Sequence, residues 1–315
     1  MKIQKMNLSR IGWPSVVATV TLFYVVVVNS YEPPRMPDGT PSFQGVTWDN
    51  GNKTPLERMQ GFDSLVIARE QATVIENIIL GLFTQPGVPN DSDFSPIQLL
   101  PIDGNYRSSL IVDPPDGRIP GNTLFINRAA LVLPNLMTAM DGPEQRPLPE
   151  RCIGGVGSLP PYVSSPAYNY YQFLQTPTAI VVWSAIMPQA RVIRVGEGHN
   201  SVSVQSLMGD SVGKWEGDTL VVETINFSET GAERTAPFVA FFVSPATKLI
   251  ERFTRISSDE LAYQFTLSDP RYYTKPWTAE VHFVRVDEPM YEYSCHEGNY
   301  SLTNILKGGR TIEKR

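Results

Sequence analysis

Residues 208–227, MGDSVGKWEGDTLVVETINF, limit the fold more than any other part of the chain. Asp210 and Gly213 bracket a turn, Trp215 and Glu216 open an extended run, Gly217-Asp218 makes a second tight turn, and residues 220–224 form a β-branched strand. That is a hairpin. Trp215 and Glu216 point to opposite sides, so it belongs to a sheet with one packed and one partly wet face. The chain repeats the pattern beyond residue 165. Residues 168–175 and 179–186 flank Thr176-Pro177-Thr178, and 190–195 is a further strand. Residues 249–256 turn at Ser257-Ser258-Asp259-Glu260 into 261–267, and 277–286 turn at Asp287-Glu288-Pro289 into 290–294. Strands at near-regular spacing joined by short turns form an antiparallel meander, which closes into a barrel or sandwich. The expected fold is mainly β, a lipocalin-like barrel or related sandwich over residues 166–315. A terminal helix or turn at 301–308 is placed to plug one end.

Residues 31–165 read as an extended and helical elaboration of that barrel. The 27 prolines and 23 glycines do not suit a helical bundle. Residues 31–52 form a proline- and glycine-punctuated arm in which Phe43, Val46 and Trp48 alternate as an edge strand would. Thr54-Pro55 is a helix start that Gly61 cuts short. Leu65, Ile67, Ala68, Ala72, Ile75, Ile79 and Leu82 recur at helical spacing, predicting a helix over 64–82. Asp91 and Asp93 lack the glycine and distal glutamate of a calcium loop and read as a solvated turn. A buried strand at 110–112 runs into a Pro-Pro-Asp-Gly turn, and 122–140 is a second helix.

Residues 1–30 stand apart. Lys2, Lys5 and Arg10 precede an uncharged segment at 11–28, the pattern of an export signal. The segment is about 18 residues long, also near the lower limit of a membrane span, so an uncleaved anchor is the second reading. The expected location is periplasmic or secreted, with the membrane reached only through this segment. In such a compartment Cys152 and Cys295 suit a disulfide. The alternative is a reactive Cys152 thiol beside Arg151. A net charge of −6 excludes a general nucleic-acid binder, which needs a basic face.

The densest polar cluster is residues 292–300, EYSCHEGNY. His296 beside Glu297, where a strand gives way to a glycine loop, is suited to acid–base work, and a hydrogen-bonded structural histidine is the plainer reading. Glu216 and Asp218 are the further catalytic carboxylates. In ERFTR, one alternating set faces the lumen, and a buried Arg252 requires a carboxylate such as Glu216 or Asp218. Its guanidinium is equally suited to clamp a substrate anion. Trp183, Trp215, Trp277 and Tyr272-Tyr273 supply aromatic area for a core or an apolar pocket. The three histidines, His199, His282 and His296, lack metal-site spacing, so no metal is expected. No Gly-x-Ser-x-Gly turn or phosphate-cradling loop is present, so no nucleotide cofactor is expected either.

The blocks RSSLIVDPPDGRIP, ERC, MGDSVGKWEGDTLVVETINF, ERFTR, KPWTAE and YEYSCHEGNY resemble those of a large, mostly uncharacterised family of exported bacterial proteins, over about residues 41–308. The matching positions are Arg107, Asp113, Arg118, Glu150, Arg151, Cys152, Arg191, His199, Asp210, Trp215, Glu216, Asp218, Arg252, Trp277, His296, Glu297 and Asn299. Arg151 and His199 thereby join the expected substrate-binding set. Members of the family often carry a glutamate and a His-Asp pair just before the arginine matching Arg191. Here that stretch is AIMPQA, with neither.

Two functions follow as expectations. One is a cofactor-independent enzyme performing isomerisation, cyclisation or elimination on a small, largely apolar molecule, with His296 as acid–base. The other is a binding or carrier barrel for a hydrophobic ligand, and a lumen packed solid with side chains would instead mark an interaction module. Oligomerisation is open to any of them.

Overall fold

The computed structural model describes residues 31–83, 97–155, 157–164, 169–187, 189–236 and 239–312. The N-terminal segment and the Asp91/Asp93 turn lie outside them. In chain order the elements are β1 (Thr47–Asp49), β2 (Val66–Ile67), α1 (Arg69–Phe83), β3 (Tyr106–Arg107), β4 (Ile111–Asp113), α2 (Thr123–Thr138), β5 (Tyr170–Gln175), β6 (Ala179–Ser184) and β7 (Gln189–Val195). There follow β8 (Asp210–Glu216), β9 (Thr219–Ile225), β10 (Glu233–Ala236), β11 (Val239–Phe242), β12 (Lys248–Arg255), β13 (Glu260–Ser268), β14 (Trp277–Val286) and α3 (Ser301–Ile312). Nine strands close a barrel in the order β1-β5-β6-β7-β8-β9-β12-β13-β14, with β14 returning to β1. The mainly β barrel is thus present. Residues 31–315 form one compact unit, because the arm supplies β1, the closing strand.

Period-two alternation builds the wall. Along β12 the residues Leu249, Glu251, Phe253 and Arg255 are buried while those between are not. Along β13 the buried set is Leu261, Tyr263, Phe265 and Leu267. An inward and an outward face must alternate in this way on any pleated strand.

Several expectations are corrected by tertiary pairing. The barrel is not a pure meander, because β7 and β8 pair in parallel, Ile193 with Ser211 and Val195 with Gly213. The run from Asp210 to Glu216 is one strand with no turn at Gly213. There a Cβ would lie 2.9 Å from Ile193 Cγ2, so glycine lets the two strands approach. The helix expected from residue 64 begins at Arg69. Val66 and Ile67, both β-branched, pair instead with β3, and the Ala68 N–H is capped by Gln71 Oε1 at 3.0 Å. Residues 54–57 form no helix, since the Pro55 and Leu56 carbonyls accept bonds from Leu110 and Ile111. Residues 290–294 form no strand, because β1 and β4 already pair with β14. Nor does α3 plug the barrel as expected. A Cβ on its Gly309 would meet Met140 Cβ at 2.6 Å, which sets the helix against the chain just past α2. In α2, Asn122 caps the Phe125 N–H and the expected helix is present.

Beside β1, the chain buries a titrating pair. Burial pushes the Asp49 carboxyl up to about 6, against the opposing pull of Lys53. Burial likewise brings Lys53, only 1% exposed, down to about 8. An unfolded aspartate titrates near pH ~3.9, so the folded state holds its proton more tightly. Asp49's contribution to stability is therefore fully present below about pH 4 and is lost as pH rises to about 6. Lys53 contributes with the opposite sense, its share present at high pH and lost as pH falls through about 8. We expect denaturant titrations to show a loss from pH 4 to 6.5 that is about 2 kcal/mol steeper in the native chain than in Asp49→Asn. Equal slopes would rule out the Asp49 assignment.

Candidate binding cleft

The barrel interior is filled. Rings pack in succession across it, with Phe173 to Phe253 at 5.7 Å, Phe253 to Tyr263 at 4.7 Å, Tyr263 to Phe283 at 5.3 Å and Phe283 to Tyr171 at 5.2 Å. Aromatic side chains at these separations leave no room for a ligand between them. In their midst sits an ion pair. Arg191 Nη1 donates to Glu251 Oε1 at 3.0 Å and Nη2 to the other carboxylate oxygen, with 2% and 0% exposure of the two side chains. The remaining donors reach Ser211 Oγ at 3.0 Å and Thr224 Oγ1 at 2.7 Å, and the Tyr263 hydroxyl donates to Glu251 at 2.8 Å. Burial opposes the Arg191 charge, but Glu251 and Tyr162 outweigh it and raise the guanidinium's pKa. Burial also pushes the Tyr162 hydroxyl up to about 12. The network is closed on itself and satisfies every buried charge it contains.

The open space lies outside the wall. A cavity of about 680 Å³ is bounded by α2, by residues 144–163 and by residues 230–234. Leu131, Val132, Leu148 and Leu159 give it apolar sides. Its floor is tied together by Arg234, which is 5% exposed. Arg234 Nε donates to the Pro160 carbonyl at 3.1 Å, Nη1 to Gly231 at 2.6 Å and Glu233 at 3.2 Å, and Nη2 to Leu207 at 2.7 Å. All four acceptors are neutral, and burial brings the guanidinium down to about 9, leaving it charged at neutral pH. Arg146 is matched by Glu150, bonded at 2.8 and 2.9 Å. Arg151 also lines the cavity, and among the described residues its guanidinium makes no hydrogen bond or ion pair.

Of the expected site residues, only Arg151 borders this space. Cys152 and Cys295 are disulfide-bonded, with Cα atoms 5.7 Å apart, so the reactive-thiol reading falls. The bond fits an oxidising compartment, and no helix among the described residues is long and apolar enough to cross a membrane. It fastens the tail, where Asn299 Nδ2 also donates to the Glu150 carbonyl at 3.4 Å. His296 and Glu297 remain exposed there. Glu216 and Arg252 do pair, at 3.2 Å, with Lys214 joining at 2.7 Å from Glu216. However, Arg252 belongs to the outward set of β12 and is 42% exposed; the lumenal charges are Glu251 and Arg255. Asp218 binds Arg35 of the arm in a bidentate pair, 2.5 and 3.1 Å. These groups therefore do not converge. Trp277 is fully buried in the core, Trp215 packs on Phe43 at 5.5 Å, and Trp183 stands 40% exposed on the outer wall.

His199 pins the crossover between β7 and β8. Its Nδ1 lies 3.1 Å from Asp210 and its Nε2 3.3 Å from Glu223. Although partial burial opposes it, the Asn200 N–H, His199 and Arg194 together hold the Asp210 carboxyl below its ordinary range. Asp103, Glu280 and His282 bring possible metal-ligand atoms within 4.8 Å of one another. Arg107 already bonds both carboxylates, at 3.0 and 3.2 Å, and supplies the cation there.

Fold and cleft together define the class: a nine-stranded mixed barrel with a filled interior and a lateral amphipathic cleft. Neither a family model nor a curated protein matches the chain.

Proposed function

We propose that the protein binds a small, largely apolar molecule carrying an anionic group, and that it does so in the lateral cleft. The observation that carries this reading is the cavity of about 680 Å³ with leucine and valine sides and the Arg151 guanidinium, unpaired among the described residues. A site of this size with apolar walls and few polar groups suits one small organic ligand. The guanidinium gives it a preference for an anion. The same reading makes the chain an exported member of the family whose blocks it resembles, supported by the disulfide that joins its ERC and YEYSCHEGNY blocks.

The apolar anion 8-anilinonaphthalene-1-sulfonate tests the cleft directly. We expect one molecule bound per chain, with affinity lowered roughly tenfold by Arg151→Ala, the loss of one charged hydrogen bond. Leu131→Asp, on the solvent-exposed part of the wall, is expected to weaken it similarly. Fluorescence titrations in which both variants bind like the native chain would place the probe elsewhere and dismiss the reading.

A further inference from the structure

We propose that Glu233 is a catalytic base of the cleft, transferring a proton from carbon within a small, apolar carbonyl compound whose developing oxyanion the neighbouring arginines stabilise. The inference rests on the binding reading above and adds a reaction to it.

Three observations point to Glu233. First, its mount is rigid. It opens β10, in register with Phe242 of β11, and its carbonyl is gripped by Arg234 at 3.2 Å. Second, it lines the cavity, and among the described residues its carboxylate makes no hydrogen bond and no ion pair. Most other shielded carboxylates have such partners, Asp49 of β1 being an exception with one buried oxygen unbonded. Glu251 has Arg191, Glu150 has Arg146, Asp210 has Arg194, and Asp269 accepts from Ser244 at 2.7 Å and Thr247 at 2.6 Å. A half-buried carboxylate that no protein group pairs stays available to a ligand in the cavity, and groups with shifted titration concentrate where they react. Third, fixed cations border the same cavity. Arg128 is bonded to the Tyr272 hydroxyl and lies over the Phe242 ring at 4.7 Å and the Tyr272 ring at 5.6 Å. Arg234 holds its charge in the floor. Guanidinium groups held before substrate arrives stabilise an oxyanion without reorganising, which is the largest contribution in many such sites.

Burial raises the Glu233 carboxyl, and Arg128 opposes that rise only in part. The shift strengthens the carboxylate as a base. No histidine is among the described residues that line the cavity, and of its other carboxylates Glu150 is paired with Arg146 and Glu144 is exposed, so the acid–base work falls to Glu233.

The step balances without a co-reactant. The carboxylate takes a proton from the α-carbon of a β,γ-unsaturated carbonyl compound, the C–H electron pair becomes the new C=C bond of a dienolate, and the former C=O pair rests on oxygen facing the arginines. The Glu233 carboxylic acid then returns the proton to the conjugated γ-carbon, giving a double-bond isomer and restoring the base.

The test uses 5-nitrobenzisoxazole, a small apolar carbon acid. Removal of its C3 proton breaks the N–O bond and leaves the electron pair on a coloured phenolate, so the rate is read directly. We expect saturable ring opening by the native chain. Its kcat/KM should rise with pH through an inflection above that of an exposed glutamate. Glu233→Gln should lower it about 100-fold, with Glu233→Asp retaining part of the rate. The glutamine variant should keep the native circular dichroism and bind the anilinonaphthalene sulfonate at least as tightly. If that variant binds the sulfonate yet opens the ring at the native rate, the role of Glu233 falls while the binding reading stands. If the native chain fails to bind the sulfonate, the cleft reading itself fails, and this inference with it.

Discussion

Arg191→Leu is expected to lose about 3–5 kcal/mol of unfolding free energy, the largest effect of any single substitution we predict here. The loss comes from what remains: Glu251, 0% exposed, would keep its charge inside the barrel with only the Tyr263 hydroxyl, at 2.8 Å, as a donor. Ser211 and Thr224 would also lose their guanidinium partner. Replacing both members, Arg191→Leu with Glu251→Leu, should restore most of the stability, because two apolar groups then fill the space of two buried charges. Guanidinium chloride unfolding of the three chains, with unchanged slopes, measures this. A single variant within about 1 kcal/mol of native, or a double variant no better than the single, would contradict the pairing.

The second large effect is expected at the disulfide. Cys152 and Cys295 are 143 residues apart, so the bond closes a long loop in the unfolded chain. Replacing both by serine should cost about 2–5 kcal/mol. Among the tail's other ties are the Tyr170 hydroxyl bond to Glu288 at 2.7 Å, the Asn299 contact to Glu150 and α3 against Met140. Residues 287–312 should therefore become the first site of limited proteolysis, while the barrel stays resistant. A serine variant with native protease resistance and an unchanged midpoint would show that the other ties secure the tail.

Much of the fold was legible because strands advertise themselves by period two. Leu249, Phe253 and Leu261, Tyr263, Phe265 share one parity, and the structure buries that parity. The same rule carries the signal of the buried ion pair. Glu251 stands in phase with Leu249 and Phe253, and Arg191 in phase with Ile193, so each is a charge on an apolar face. Arg252, one position out of phase in the same charged run, faces outward. The parallel β7–β8 pairing and the closing role of β1 were not legible, since a strand's own residues do not name its neighbour.

The proposed site was less legible still. Arg151 stood out by its block, but Glu233 lies in a four-residue strand with no motif around it. Its environment is assembled from α2, residues 144–163 and residues 230–234, distant in sequence and joined by Arg234's bonds to four carbonyls. By itself the sequence determined that the chain is mainly β, that it alternates between core and solvent, and that it carries two cysteines able to pair. Tertiary structure alone decided which strands are neighbours, that the barrel is full, and that the cleft lies beside it. The reason is physical. Alternation and turns act between residues a few positions apart, whereas a cavity and its bare carboxylate exist only where remote segments meet and exclude water.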